Sequence, residues 1–550
     1  MGEQVEAKIV NYFSFREVGD DIHIVKEVKY KDGVYEDNIR VIKDFKRPFW
    51  VTKPIYQKYI DKLEYEDLNR VDMFTSTQSS LYKSVSRRLG SRYIGITDPR
   101  RIKESPYVYG LDTDSRTILK HVYNKKLNRD PSPDRIGFFD IEVDTLKNDI
   151  ILISLITKGK VVTAILKSFV DDTKLNKDRL QELYTRYVPD DGESLKNNVK
   201  LELKFFDDEI DMIRFIFQTA NYSDIDTLAA WNVKYDITEI LDKLQERQVD
   251  PASIFHYDEI PEEYKYFEFR EGRAKKITEA GREMSLSPED IWNTIKCTAN
   301  YTILDAMAAH RFIRVGTATT PGGYSLDNIL KKEGISGKLK FDDTVDEKYR
   351  GLEWHIMMVK SKPLEYIIYN IWDVMSLFAM EMKTNDLSIS LPLLSGISHS
   401  DVFNSGPRKI VDAMFIFYLE HKKVLGVKAY SNENDKILGL DGWVITLISH
   451  YIEDSKNKYI KVDGELTNIN TNIRTLIYDL DITSAYPSAT AAANISTATT
   501  HREIYKIGDL DKDSFKKFNI DISYGRTNAI EYCTHMFNMP SLYELIENVK

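Results

Sequence analysis

Apolar and polar residues alternate along DIHIVKEVKY (21–30). This two-residue period marks much of the first 135 residues and predicts a β-containing region there. NRDPSPDR (128–135) then breaks the pattern: it is polar, carries two prolines and reads as a linker. IGFFDIEVD (136–144) follows as an apolar strand pattern interrupted by acids, with ILISLIT (151–157) as a partner strand. Farther on, apolar residues recur at the helical period in IDMIRFIFQTA (210–220) and ITEILDKLQER (237–247), with TLAAWN (227–232) as a strand between them. This alternation predicts an α/β region built on a mixed sheet. EYIIYNIWDVMSLFAMEM (365–382) and RKIVDAMFIFYLEHKK (408–423) read as apolar-periodic helices, and RTLIYDLDITSAYPS (474–488) as a final acid-rich strand-like run.

Composition adds limits. The chain has 550 residues, 42% hydrophobic and 29% charged, which is a globular balance large enough for several domains. No apolar run approaches the ~18–20 residues of a membrane helix. The N-terminus MGEQVEAKIV has no signal-peptide pattern, and Glu6 stands where a myristoylation motif needs Ser or Thr. Two cysteines, Cys297 and Cys533, make neither a disulfide framework nor a cysteine zinc site, so a reducing cytoplasm is expected. The net charge of −10 disfavours a protein that simply coats nucleic acid. It leaves room for a nucleic-acid enzyme, whose metal sites are clusters of carboxylates. SVSRRLGSRYIGITDPRRIK (84–103) is a basic stretch that reads either as a solvated face or as a local nucleic-acid contact.

The acids at 136–144 call for an explanation. Asp140 and Glu142 lie two apart in a strand, hence on one face and roughly 7 Å apart. In apolar surroundings they repel and lose hydration, and a divalent metal resolves both problems. Alone, the pair would read as an edge strand with its polar face in solvent. WNVKYD (231–236) adds Asn232 and Asp236 at a helix start, where an acid is ordinarily a cap. YNIWD (369–373) adds Tyr369 and Asp373, four apart and on one helical face. Together they form an ordered set of four carboxylates, with a tyrosine one turn before the last.

That set resembles the three motifs of the DEDD exonucleases, the proofreading modules of DNA polymerases, and Tyr369 matches the DEDDy subclass. The resemblance implies an RNase H-like α/β domain holding two divalent metals, Mg²⁺ or Mn²⁺, on Asp140, Glu142, Asp236 and Asp373. The metals would activate a water and stabilise the leaving 3′ oxygen. Tyr369 would position the water, and Asn232 would contact the DNA strand or order the site. The substrate would be a frayed single-stranded 3′ end stacked on aromatic side chains.

YDLDITSAYPS (478–488) resembles motif A of the family B DNA polymerases, D-x-x-S-L-Y-P-S. By that resemblance Asp481 and the Ile482 carbonyl would bind polymerase metals. The Ser484 and Ala485 amides would hold nucleotide phosphates, and Tyr486 would lie under the deoxyribose and exclude a 2′-hydroxyl. Ala485 stands where the family has leucine. GYSLDNILKKEGISGKLKFDD (323–343) and RAKKITEAGREM (273–284) are similar to segments of T-even-type phage polymerases, the second matching a hairpin that helps move the primer end. The family's Tyr-x-Gly-small element has only LDGWV (440–444) as a counterpart. Its fingers motif K-x-x-x-N-S-x-Y-G and its D-T-D-S turn do not follow Asp481. YGLDTDS (109–115) does not replace that turn. It precedes the exonuclease motifs, and Leu111 is an extra residue that reverses the facing of the acids. It reads as a surface turn, with Asp114 or Ser115 capping the helix at RTILKHVY.

The expectation is an α/β and α+β multidomain chain: an N-terminal domain at 1–135 to which 386–440 returns, an RNase H-like exonuclease domain at 136–385, and a partial palm at 441–550. The function expected is that of the N-terminal section or subunit of a family B DNA polymerase with 3′→5′ proofreading. Primer–template DNA and deoxynucleoside triphosphates would be its substrates, in host cytoplasm if phage-encoded. A C-terminal polymerase fragment or subunit would complete synthesis. A free-standing 3′→5′ exonuclease and a nucleic-acid-binding assembly factor with dead sites are the alternatives.

Overall fold

The computed structural model describes residues 4–388 apart from short segments such as 91–98 and 315–322, together with 414–426, 459–462, 465–468 and 492. The chain divides into two compact units, Met1–Ile437 and Leu438–Lys550. No described helix is long and apolar enough to cross a membrane. The segments carrying Asp481, Ile482, Ser484, Ala485 and Tyr486, and LDGWV, lie outside the described residues. Of the second unit, a two-stranded hairpin of Tyr459–Val462 and Glu465–Asn468 is described.

The first unit opens with an antiparallel meander of β1 (Gln4–Phe15), β2 (Asp20–Lys31) and β3 (Val34–Lys43). In a second small sheet, β4 (Arg47–Thr52) lies between β6 (Val71–Ser76) and β7 (Val108–Tyr109). The short β5 (Tyr65–Asp67) pairs with Lys423–Leu425, and Phe415 packs on Trp50, so residues 414–425 lie against this region. The YGLDTDS stretch is a buried corner rather than the surface turn expected from its spelling. Tyr109, Leu111, Thr113 and Ser115 are all buried, and the Arg47 guanidinium donates to the carbonyls of Gly110 and Thr113. Gly110 holds φ at +79°, and a Cβ there would stand 2.7 Å from the Trp50 ring. Asp112 and Asp114 lie outside the described residues, and α2 (Ser115–Leu127) begins at once.

The core of the unit is a six-stranded mixed sheet. β8 (Ile136–Asp144), β9 (Asp149–Thr157) and β10 (Lys160–Leu166) form an antiparallel meander, with β11 (Lys200–Phe206) parallel to β10 at one edge. On the other side β12 (Thr227–Ala230) runs parallel to β8, and β17 (Thr302–Asp305) parallel to β12. Between these lie two antiparallel pairs: β13 (Phe267–Arg270) with β16 (Thr294–Cys297), and β14 (Lys275–Ile277) with β15 (Glu283–Ser285), the latter at the expected hairpin segment.

The strand period sorts β8 between two cores. Phe139, Ile141 and Val143 point to one face, against α4 (Glu209–Asn221) and α5 (Val233–Glu246). Ile136 and Phe138 point to the other, against the long α9 (Pro363–Thr384). Proline at the first turn starts α9 and Asn385 in the left-handed region ends it. By the same alternation, Asp140 and Glu142 face α9.

A buried charge cluster ties the N-terminal meander to this sheet. Lys26, fully buried on β2, donates to the carbonyls of Ile225 (2.6 Å) and Asn300 (3.2 Å) and pairs with Asp37 (3.0 Å) and Asp226 (3.2 Å). Arg135 grips the same two carboxylates at 2.8–3.0 Å. The last residue of the expected linker is therefore a clamp, fixed just ahead of β8.

Candidate metal centre and its surroundings

Three stretches of chain meet at the α9 side of β8. The strand places Asp140 and Glu142 two residues apart, and a register shift at Glu142/Val143 bends the ladder there. β12, in register with the start of β8, delivers the chain through Trp231 and Asn232 into α5, so Asp236 arrives in the first turn of that helix. α9 passes over the strand and presents Tyr369 and Asp373 one turn apart. Oxygens of Asp140, Glu142 and Asp373 lie within 4.8 Å of one another, a group able to bind a metal ion. Asp236 stands outside that tight group but lines the same cleft of about 440 Å³, with Asn232, Tyr235 and Leu352. Asn232 is exposed at the helix start and its side chain makes no cap bond.

Three of the four carboxylates are held by hydrogen bonds from neighbouring side chains. Asn370 Nδ2 donates to Asp140 Oδ2 at 2.8 Å. The Tyr366 hydroxyl donates to Glu142, and His355 Nδ1 lies 2.8 Å from that hydroxyl. A phenol that gives its one proton to Glu142 can only accept from His355, which places the ring proton on Nδ1. Lys338 donates to Asp373 Oδ2 at 2.6 Å and to the Tyr369 hydroxyl at 2.9 Å, with its ammonium 5.0 Å from the Tyr369 ring centroid. Tyr366 and Tyr369 stack with centroids 5.8 Å apart, and Trp354 lies 5.1 Å from Tyr369.

The electrostatics follow from this crowding. Burial, then the Asp373 charge, pushes Asp140 up to about 7. Burial and neighbouring carboxylates likewise raise Glu142 and Asp236 well above the usual carboxylate range, and burial raises Asp373. Burial works against the Lys338 ammonium, but Asp373, Tyr369, Asp140 and Glu142 outweigh it and keep it charged. Burial and Lys338 depress His355 to about 4, so it is neutral at pH 7. Two like charges ~5 Å apart cost ~3 kcal/mol at an effective dielectric constant of ~20, so four carboxylates facing one ammonium form an unbalanced set. A cation fits it on two grounds. Asp373 Oδ1 is buried and has no hydrogen-bond partner. The donors are all carboxylate oxygens, the ligand type of hard divalent ions.

The sequence pattern singled out six of these side chains, Asp140, Glu142, Asn232, Asp236, Tyr369 and Asp373, and missed Lys338, Tyr366, Asn370 and His355. Tyr366 precedes Tyr369 by three residues on the same helical face, which was a usable signal. Lys338 sits in a polar loop, where a lysine ordinarily reads as solvent-exposed. Comparison with known protein families and with curated proteins finds no match for this sequence. A functional reading therefore rests on the residues and their geometry.

Proposed function

We propose that this chain is a 3′→5′ DNA exonuclease of the proofreading type, carried on the N-terminal section or subunit of a family B DNA polymerase. The observation that carries the reading is the meeting of Asp140, Glu142 and Asp373 within 4.8 Å, from a strand and a helix more than 200 residues apart in sequence. The mixed sheet, with the first acid pair on a central strand, supports an RNase H-like domain. Asp140, Glu142, Asp236 and Asp373 would hold two Mg²⁺ or Mn²⁺ ions, whose chemistry when bound is activation of a water and stabilisation of the leaving 3′ oxygen. Tyr369, its hydroxyl fixed by Lys338, would orient the attacking water. Asn232, Tyr235 and Leu352 line the cleft where the terminal nucleotide of a single strand would enter. DNA synthesis rests on the motif A resemblance around Asp481 and would need a C-terminal polymerase part.

The test uses a 5′-labelled primer–template with Mg²⁺, with and without the four deoxynucleotides. Metal-dependent shortening that Asp373→Asn abolishes is the expected result. Absence of shortening by the wild-type chain, or undiminished shortening by the variant, would overturn the proposal. Lengthening with deoxynucleotides would assign synthesis to this chain without a further part.

A further inference from the structure

Glu142 receives its hydrogen bond from a side chain that is packed in place on three sides. The Tyr366 ring is fully buried on α9, stacked on Tyr369 with centroids 5.8 Å apart and met edge-on by Phe169 at 6.3 Å and Trp354 at 6.1 Å. This packing fixes the phenol oxygen and leaves its proton one freedom, rotation about the C–O bond. Two groups can compete for that proton: the Glu142 carboxylate and the Nδ1 atom of His355, 2.8 Å from the oxygen. A bare Nδ1 would take the proton part of the time and leave Glu142 without its donor. A protonated Nδ1 removes the competition, because it donates to the phenol oxygen and frees the phenol proton for Glu142 alone. The structure favours the second state. His355 Nδ1 lies 3.8 Å from Glu142 Oε2, so the carboxylate charge attracts a proton to that nitrogen. The donated bond also polarises the phenol and strengthens the bond it gives in turn.

His355 reaches this position from α8 (Leu352–Ser361), the helix ahead of α9. Its ring also packs, with centroids 5.0 Å from Trp354, 5.8 Å from Tyr366 and 6.1 Å from Tyr369. An all-carbon ring would serve that packing equally well; meeting the phenol oxygen takes a nitrogen. We propose that His355 is a positioning residue of the metal centre: its Nδ1–H commits the Tyr366 proton to Glu142 and so sets the orientation in which that carboxylate meets a divalent ion. The proposal deepens the exonuclease reading and rests on its metal centre, not on the polymer the centre cleaves.

Titration of the full chain with Mn²⁺, followed by electron paramagnetic resonance of the free ion, tests positioning against packing. His355→Phe keeps a ring and removes the donor. His355→Asn gives up the ring and keeps an N–H close to the Nδ1 position. His355→Phe should bind Mn²⁺ about tenfold more weakly than wild type, the low end for losing an outer partner of a metal ligand, and His355→Asn should recover most of that loss. In a Tyr366→Phe background the two His355 variants should bind alike, because the effect runs through the phenol. Wild-type affinity in His355→Phe, or a larger loss in His355→Asn than in His355→Phe, overturns the proposal; the second result would assign the ring to packing. A wild-type chain that binds no Mn²⁺ overturns the proposal and the metal centre together. Digestion of a 5′-labelled primer–template by wild type is measured separately. Active digestion beside unaltered Mn²⁺ affinity in His355→Phe sinks the positioning role and leaves the exonuclease reading standing. Mn²⁺ affinities in the expected order without digestion do the reverse.

Discussion

Asp140→Asn should make the metal-free protein more stable while removing its activity. Asp140 is ionised in the unfolded chain above about pH 4, yet burial and Asp373 push it up to about 7 in the fold. Because its folded pKa is the higher one, its contribution is unpenalised below the unfolded pKa and is lost as pH rises from about 4 through about 7. The rise from 3.8 to about 7 corresponds to about 4 kcal/mol at pH 8, an upper bound since the neighbouring acids share the relief. Asparagine removes the charge at nearly constant volume, and its carbonyl still accepts from Asn370 Nδ2. In EDTA at pH 8 the variant should melt higher by up to about 4 °C for a unit of this size. The gap should shrink toward zero near pH 4. Millimolar Mg²⁺ or Mn²⁺ should close or reverse it, because the ion stabilises the wild type more than the variant. The assay is a set of thermal melts at pH 4.5, 6 and 8, with EDTA or metal. A variant no more stable than wild type in EDTA at pH 8 would refute the charge-crowding argument, whatever its activity.

Three further substitutions probe the surroundings. Tyr366→Phe removes the hydroxyl between His355 and Glu142 and should weaken divalent-ion affinity about 10–100-fold at unchanged fold, read by Mn²⁺ titration; equal affinity would show that Glu142 needs no such support. Lys338→Met removes the ammonium bound to Asp373 and Tyr369, so the metal-free melt at pH 8 should fall, opposite in sign to Asp140→Asn, and unchanged melting would refute the assigned charge. Lys26→Met should destabilise the first unit by about 3–5 kcal/mol, because the buried Asp226 and the partly buried Asp37 would keep Arg135 as their surviving cation; urea unfolding measures it, and a loss below about 1 kcal/mol would show the cluster to be a minor support.

Local pattern carried a large part of this structure. The two-residue period placed β8 and β9, and the 3.6-residue period placed α4, α5 and α9, because burying one face of a strand or helix imposes those spacings whatever lies opposite. The same periods put Asp140 with Glu142, and Tyr369 with Asp373, on shared faces, so each half of the candidate centre was legible in a few neighbouring residues. Their meeting was not. Asp140 and its partner Asn370 are 230 residues apart, and Glu142 and Tyr366 are 224 apart. No local period encodes contacts of that range; sheet order and the path of α9 decide them. Lys26 shows the limit most plainly. It occupies the inward face of β2 with Ile22, Ile24 and Val28, where the local pattern asks for an apolar residue. Only the tertiary structure brings Asp37, Asp226 and two carbonyls around its ammonium, because a buried charge is tolerated solely where the rest of the fold supplies its partners.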